Sequence, residues 1–386
     1  MKKRRSLQAQ LAFAAGLGLL SMMILPSVSN ALVNGACDEC HTMHDSQDNA
    51  QMAVTGGPYD VLLLGDCLSC HTGTNDATNV RPYVFNATAA GYGPLGDTLA
   101  GGNFFWVQTI DARGHNVDFV TPGGDATLAV PPGFDEAAAW SVRVAAQTDL
   151  TTAELTCAGT AGCHGDRDTA PGNATNYGSI KGAHHADDTT IDGNTVGTSF
   201  RFLYGIEGTE QARWEYQAGV GDDHNGYWGT NRAADTVDDA NTISSLCGQC
   251  HGGFHNSVEP TANAGWVNSG DPGIQGSGAA MTNPWIRHPT DFQMPASATG
   301  DDTSDYWYNG GGGYDPMVPL GSTAGNVVTG ATNPAGGDRI VICLSCHRAH
   351  GSPYADLLRW TYGGMVVGPS GDVGEGCFVC HNAKDN

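Results

Sequence analysis

A short cysteine motif that occurs five times sets the strongest limit on what this chain can fold into. Ten of the 12 cysteines lie in copies of Cys-x-x-Cys-His, at residues 37–41, 67–71, 247–251, 343–347 and 377–381. This spacing indicates covalent c-type haem attachment, in which two thiols bond the porphyrin and the histidine ligates its iron. A chain with several such sites has to fold around its cofactors.

The two remaining cysteines, Cys157 and Cys163, form a stretched version of the motif that ends in His164. A disulfide or a haem held by one thioether bond are the alternatives there. Because His164 directly follows Cys163, we favour haem and predict six covalently attached haem c groups. The predicted thioether residues are Cys37, Cys40, Cys67, Cys70, Cys157, Cys163, Cys247, Cys250, Cys343, Cys346, Cys377 and Cys380. The predicted proximal iron ligands are His41, His71, His164, His251, His347 and His381.

Eight further histidines exceed the six iron positions that remain. An open position permits substrate binding, whereas a second histidine closes the iron and leaves electron transfer as its main use. His44, His255 and His350 closely follow a motif, and that spacing suits a neighbouring haem rather than the same one. The predicted distal ligands are His44, His115, His255, His288 and His350, together with one of His184, His185 and His224.

The N-terminus has the organisation of a secretory signal peptide. Basic residues 2–5 precede an apolar run at 11–25 and small residues that end at Ala31. The run is short for a membrane span, and no later stretch is long and apolar enough to cross a bilayer. We expect residues 1–31 to be removed on export and residues 32–386 to form a single six-haem unit.

Composition predicts a fold with little regular structure. Glycine accounts for 55 of 386 residues, and only 40% of the chain is hydrophobic. We therefore expect a mostly irregular coil with short helices and few short strands, organised around a stack of haems that serves as the core. Each motif should form a helical turn. A strand is expected at 104–107, and short helices at 136–146 and 354–360.

The net charge of −23 excludes nucleic acid as a partner, because nucleic acid binding needs basic patches.

Several stretches together resemble the extracellular six-haem cytochromes of metal-reducing bacteria that polymerise into conducting filaments, or nanowires. They are residues 37–44, 101–116, 247–257, 287–289, 343–350 and the chain end after 377–381. The resemblance implies an electron-transfer protein, not an enzyme, at the extracellular cell surface. Its implied partners are further copies of itself, redox proteins and extracellular acceptors such as metal oxides or electrodes.

The resemblance also implies a ligand that crosses between subunits. In the matching family position, His44 ligates the haem that Cys343, Cys346 and His347 hold in the next subunit. The stretched motif at 157–164 departs from the family, whose third site has ordinary spacing. The distal ligand of the third haem therefore stays open.

Two other functions fit the same motifs. A monomeric periplasmic six-haem carrier would bind His44 within its own chain. A haem reductase would need an open or lysine-ligated iron. The sequence has no Cys-x-x-Cys-Lys motif, and its surplus of histidines favours electron transfer.

Overall fold

The computed structural model describes residues 35–52, 59–76, 78, 81–93, 96–121, 123–125, 131–132, 155–167, 176–186, 191–216, 219, 222–230, 241–251, 288, 290–294, 314–323, 339–366 and 376–381. The predicted signal peptide at 1–31, the predicted helix at 136–146 and His255 lie outside these ranges. Within them, the mostly irregular fold with short elements is confirmed. None of their helices is long and apolar enough to cross a membrane.

The helices are single turns or little more. The α-helices are Cys67–His71, Asn176–Ser179, Ile243–Gly248, Cys343–Cys346 and Cys377–Cys380. The 3-10 turns are Cys37–Glu39, Asp60–Leu62, Phe104–Gln108, Asp111–Arg113, Val196–Thr198, Phe200–Phe202, Ala355–Leu357 and Tyr362–Gly364. Elements this short cannot be stable alone, because helix nucleation is unfavourable, so tertiary contacts must hold them.

Nine short strands form three sheets in the described ranges. The strands are β1 Ser46–Gln47, β2 Ala50–Gln51, β3 Thr156–Ala158, β4 Gly162–His164, β5 Gly208–Thr209, β6 Gly226–Trp228, β7 Phe292–Gln293, β8 Gly321–Ser322 and β9 Ile340–Val341. β1 pairs with β2 and β3 with β4, and the third sheet has the order β5-β6-β8-β9-β7. This third sheet joins segments that are distant in sequence and ends just before the motif at 343–347.

In the part of the chain that the structure describes, buried apolar side chains gather in three small clusters. The first cluster contains Phe200, Leu203, Ile206, Tyr227, Ile243, Leu246, Ile340 and Ile342. The second contains Met294, Val318, Leu320, Val341 and Trp360. The third contains Phe104, Val107 and Val117. Motif cysteines at 346, 377 and 380 pack against the second cluster, so the apolar clusters support the motifs directly.

The strand predicted at 104–107 is wrong, because this segment is the 3-10 turn Phe104–Gln108. The side chain of Asn103 caps the turn by accepting the Phe105 N–H at 2.9 Å. Phe104 and Val107 both face the third cluster, and a separation of three residues suits a turn, not a strand. The helix predicted at 354–360 is reduced to Ala355–Leu357, which contains a left-handed residue at Asp356.

Candidate metal centre

The five ordinary motifs fold into helical turns, as predicted. Three are α-helices and one is a 3-10 turn: Cys67–His71, Cys343–Cys346, Cys377–Cys380 and Cys37–Glu39. At 247–251 the N–H groups of Cys250 and His251 both donate to the Cys247 carbonyl oxygen, at 3.1 and 3.0 Å. Residues three and four apart share one face of a helical turn. Each motif therefore presents two thiols and an imidazole on one side.

The stretched motif has a different backbone. Its cysteines lie in β3 and β4, which pair in parallel with Ala158 opposite His164. The turn between these strands includes Gly159 in the left-handed region at φ +89°. The three extra residues are absorbed by this turn, and the strand pairing sets Cys157 and Cys163 side by side. The expectation of a helical turn at every motif fails here, because five intervening residues are too many for one.

Backbone carbonyl oxygens fix the rings of five motif histidines. The Nδ1···O distances are 3.0 Å for His41 and Val61, 2.8 Å for His71 and Pro82, 2.9 Å for His164 and Arg201, 2.7 Å for His251 and Pro132, and 2.7 Å for His347 and Asp356. A neutral imidazole whose Nδ1–H is held by a carbonyl presents the Nε2 lone pair to a metal. Sequence reasoning missed these acceptors, since no residue type marks a carbonyl.

Three of the residues whose carbonyl oxygens accept these hydrogen bonds share an uncommon backbone conformation. Val61, Arg201 and Asp356 have φ values of +56°, +50° and +58°, and the residue after each is also left-handed. Non-glycine residues in this region are uncommon, and a β-branched one such as Val61 is strained. The first, third and fifth motifs therefore use the same turn to hold their histidines, at some conformational cost.

Five motif histidines face a second imidazole at nearly constant separation. The ring-centroid distances are 6.2 Å for His41 and His185, 6.3 Å for His71 and His184, 6.4 Å for His164 and His350, 6.2 Å for His251 and His115, and 6.1 Å for His381 and His288. A metal–imidazole nitrogen bond is about 2 Å long, so rings on opposite sides of one ion have centroids about 6 Å apart. The pairs fit a haem iron between them.

Burial keeps several of these imidazoles in the neutral form that binds metal. It lowers the pKa of His350 to about 3 and that of His184 to about 4. The pKa values of His71, His115 and His164 are also lowered, mainly by burial. Because a metal competes with a proton for the imidazole lone pair, a low pKa favours ligation.

The structure brings His115, His288 and His350 to motif histidines, and it does the same for both His184 and His185. Sequence reasoning required only one of these last two or His224. The ring contact of His224 is instead with Tyr314, at 4.6 Å between centroids.

His347 and His44 remain without a facing imidazole in the described part of the chain. His347 is exposed, although its Nδ1 is fixed by the Asp356 carbonyl oxygen. His44 is exposed as well, and its backbone N–H donates to the Thr42 hydroxyl at 3.2 Å. Among the described residues, the surface thus presents a motif histidine without a facing imidazole and an exposed histidine outside the motifs.

Thiols of successive motifs are neighbours. Cys67 shares a hydrogen bond with Cys157, which raises the pKa of the Cys157 thiol. Cys247 shares one with Cys343, which raises the pKa of Cys247.

The other links are electrostatic. Burial and then the nearby Cys163 raise the pKa of Cys250 to about 12. Burial and then Cys377 raise the pKa of Cys346 to about 12. Burial and then Cys70 raise the pKa of Cys40. These five contacts connect all six motifs in chain order.

Comparison with known proteins finds a similar cytochrome. The sequence is 28% identical to the C-type cytochrome OmcS of Geobacter sulfurreducens over 366 residues, covering 84% of this chain and 78% of OmcS. The family model for the doubled CXXCH motif matches residues 333–386. The resemblance drawn from the motifs is confirmed.

Two solved structures from Geobacter sulfurreducens are also similar. The outer membrane cytochrome S filament is 19% identical with a TM-score of 0.42, covering 89% of this chain and 88% of that one. The OmcS nanowire is 21% identical with a TM-score of 0.43, covering 87% of each chain.

Proposed function

We propose that this OmcS-like multihaem c-type cytochrome is the subunit of a filament that carries electrons outside the cell. The single observation that carries the proposal is the set of five imidazole pairs with centroids 6.1 to 6.4 Å apart. Unrelated histidines would not repeat one separation five times. Bound haem supplies reversible one-electron chemistry, and the protein holds each iron between two rings.

Six haems account for all 12 cysteines, including Cys157 and Cys163 of the stretched motif. The proposed proximal ligands are the six motif histidines. The proposed distal ligands within one chain are His185, His184, His350, His115 and His288, for the first, second, third, fourth and sixth haem respectively. This set takes both His184 and His185 and omits His224 and His255.

Two histidines on every iron favour electron transfer over catalysis. A doubly ligated iron has no position for a substrate, so the protein does not act as an enzyme at these sites. The thiol contacts between successive motifs support a continuous path from the first haem to the sixth. The protein insulates this path and orients the haems, and the electron moves between neighbours.

Polymerisation follows from the incomplete fifth site. His347 lacks a facing ring in the described residues, and the exposed His44 lacks a motif. We propose that His44 of one subunit ligates the haem held by Cys343, Cys346 and His347 in the next. The chain of haems then continues across the subunit boundary, and assembly completes the fifth haem.

Exposed apolar side chains flank both halves of this junction. Near His44 they are Met43, Val61 and Leu62, with exposed fractions of 79%, 68% and 43%. Near His347 it is Ile110, with an exposed fraction of 42%. Ile110 directly precedes the turn Asp111–Arg113, which packs against the turn that holds His347. Burying these groups between subunits would stabilise the contact.

The proposed location is the extracellular surface, after removal of residues 1–31. Proposed partners are other copies of the chain, redox proteins that deliver electrons, and acceptors such as metal oxides or electrodes. The net charge of −23 makes subunits repel one another at low salt. Filament assembly should therefore strengthen as salt screens this repulsion.

His44→Ala tests the proposal directly. We expect the haem-loaded variant to keep six haems but to fail to polymerise, because the fifth haem of each subunit loses its ligand. Electron cryo-microscopy of the purified protein measures this outcome. His255→Ala is the matched control and should form filaments with a continuous haem chain.

Normal filaments from His44→Ala would overturn the junction. Discrete six-haem particles from the unmodified protein would instead indicate a monomeric carrier. If His255→Ala exposes an open fifth iron in such particles, the ligand comes from the same chain.

A further inference from the structure

His224 is a buried histidine that the proposed haem sites do not use. It lies just before β6, its exposed fraction is 0%, and neither ring nitrogen has a hydrogen-bond partner in the described residues. Leaving a buried polar group without a partner destabilises a protein. Such a group in a folded chain calls for a functional explanation.

The surroundings of His224 differ from those of an iron ligand. The Nδ1 atom of His115, a proposed ligand, is 2.6 Å from the Ala349 carbonyl oxygen. The Nδ1 atom of His224 instead lies 3.9 Å from a carboxylate oxygen of Glu215. Its ring packs at a tilt against the ring of Tyr314, with 4.6 Å between centroids. His224 is placed as a group that can gain charge next to a carboxylate.

Ionisable groups face His224 from several segments. The carboxylates of Glu215, Asp222, Asp223 and Asp315 favour its protonated form, whereas burial has the larger effect and lowers its pKa. Tyr227, Arg348 and Arg359 also lie within this charged region, since each influences the pKa of a neighbour in it. Because His224 is buried, a further change in local charge is little screened and changes its proton affinity.

Arg359 links this region to the fifth motif. Its guanidinium is buried, with an exposed fraction of 1%. Nε donates to the carbonyl oxygens of Leu344 and His347, at 2.6 and 3.2 Å, and Nη1 donates to that of Pro316 at 3.4 Å. Pro316 follows Asp315, and the ring of Tyr314 contacts that of His224. Arg359 therefore connects the backbone of the fifth motif to the segment that contacts His224.

We propose that His224 is a proton-binding site that takes up a proton when the haem at His347 accepts an electron. With haem bound at the fifth motif, the electron would come from a neighbouring haem, as part of the one-electron chemistry that the cofactor would supply. The proton comes from water and binds an imidazole nitrogen of His224. Both leave again on oxidation. The proposal rests on the proposed function only in requiring a haem at the fifth motif.

The physical reason is electrostatic. Reduction removes one positive charge from the iron, and charges interact strongly where little water screens them. The affinity of His224 for a proton then rises, so the reduced protein binds more protons than the oxidised one over an intermediate pH range. At a pH above or below the pKa values of both redox states, the two forms bind the same number of protons. Proton uptake on reduction should therefore pass through a maximum as pH is varied.

The test counts protons taken up when the six-haem protein is fully reduced electrochemically in weakly buffered solution. His224→Phe and His224→Gln should each lose up to about one proton per chain at the maximum. Phenylalanine can pack on Tyr314 without placing a polar atom in the site, so at least one variant is expected to fold. The exposed Asp223→Asn is the matched control and should keep most of the uptake.

Three results would overturn the proposal. Uptake that is unchanged in both His224 variants would exclude this histidine as the proton site. Loss of uptake in Asp315→Asn alone would assign the proton to that carboxyl group. A new high-spin haem signal in His224→Phe would make His224 an iron ligand instead. The variants should also form normal filaments, so failure of this proposal is separate from failure of the subunit junction.

Discussion

The third and fifth motifs differ in whether a second imidazole faces the motif histidine. His164 faces His350 at 6.4 Å within one chain, and the ring of His350 also stacks on Phe104 at 4.7 Å. His347 has the same kind of Nδ1 support from a left-handed residue, but it is exposed and lacks a facing ring in the described residues. The support for the proximal ring is thus the same in both places.

The comparison separates two roles for a distal histidine. In the interior, the second ring joins distant segments, because His350 belongs to the loop after the fifth motif and serves the third. At the surface, the second ring has to come from elsewhere. We infer that interior pairs stabilise the subunit, whereas the His44 junction stabilises the filament. Equal changes at the two places should therefore have different consequences.

His350→Ala should have the largest effect on the isolated subunit. Removing a ring that packs on Phe104 leaves a cavity and should lower the free energy of unfolding by about 3 kcal/mol. One iron should also change from low spin to high spin. Thermal unfolding and electron paramagnetic resonance of the haem-loaded monomer measure both effects. His44→Ala is the control, and equal destabilisation by the two variants would contradict the comparison.

Met43→Asp should have a smaller effect, confined to assembly. Met43 is 79% exposed beside His44, so the folded monomer should keep its stability within about 0.5 kcal/mol. A charge buried at the subunit contact should raise the critical concentration for polymerisation about 10-fold, which corresponds to about 1.4 kcal/mol. Met43→Leu should assemble normally. Unchanged assembly of Met43→Asp would place this side chain outside the junction.

The sequence allowed the motif turns to be predicted because their chemistry is contiguous. In the five ordinary motifs each thiol pair and its proximal histidine lie within five residues, and one helical turn suffices to align them. The irregular fold also followed from glycine content and from the few apolar residues available for a core. These predictions needed no knowledge of contacts between distant segments.

The histidine pairing could not be predicted from spacing, because it depends on long-range packing. Adjacent residues His184 and His185 face different motif rings, His71 and His41. Sequence reasoning treated the two, with His224, as alternatives, because five other histidines were assigned to five of the six distal positions. The strand prediction for residues 104–107 was wrong for a related reason. Its aromatic and β-branched composition suits a strand, but the buried Asn103 caps a turn there.

Val61→Gly should have the smallest effect on monomer stability and on assembly. It tests why a strained backbone conformation occurs at the proposed subunit junction. Val61 has a left-handed φ of +56° although it is β-branched and 68% exposed. Glycine removes the strain, which is about 1 to 2 kcal/mol, and adds freedom to the unfolded chain worth roughly half that gain. The net expectation is a monomer that is more stable by up to about 1 kcal/mol, with weaker assembly because an apolar side chain is lost.

Asp356→Gly is the matched control, because Asp356 has nearly the same φ of +58° and also supports a motif histidine. Aspartate tolerates the left-handed region better than valine, so its replacement should stabilise the monomer less. Chemical denaturation of the two monomers and the critical concentrations of their polymers measure the difference. A strained valine at an exposed position is explained if its side chain is buried by the next subunit. Equal assembly of Val61→Gly and the unmodified chain would remove that explanation.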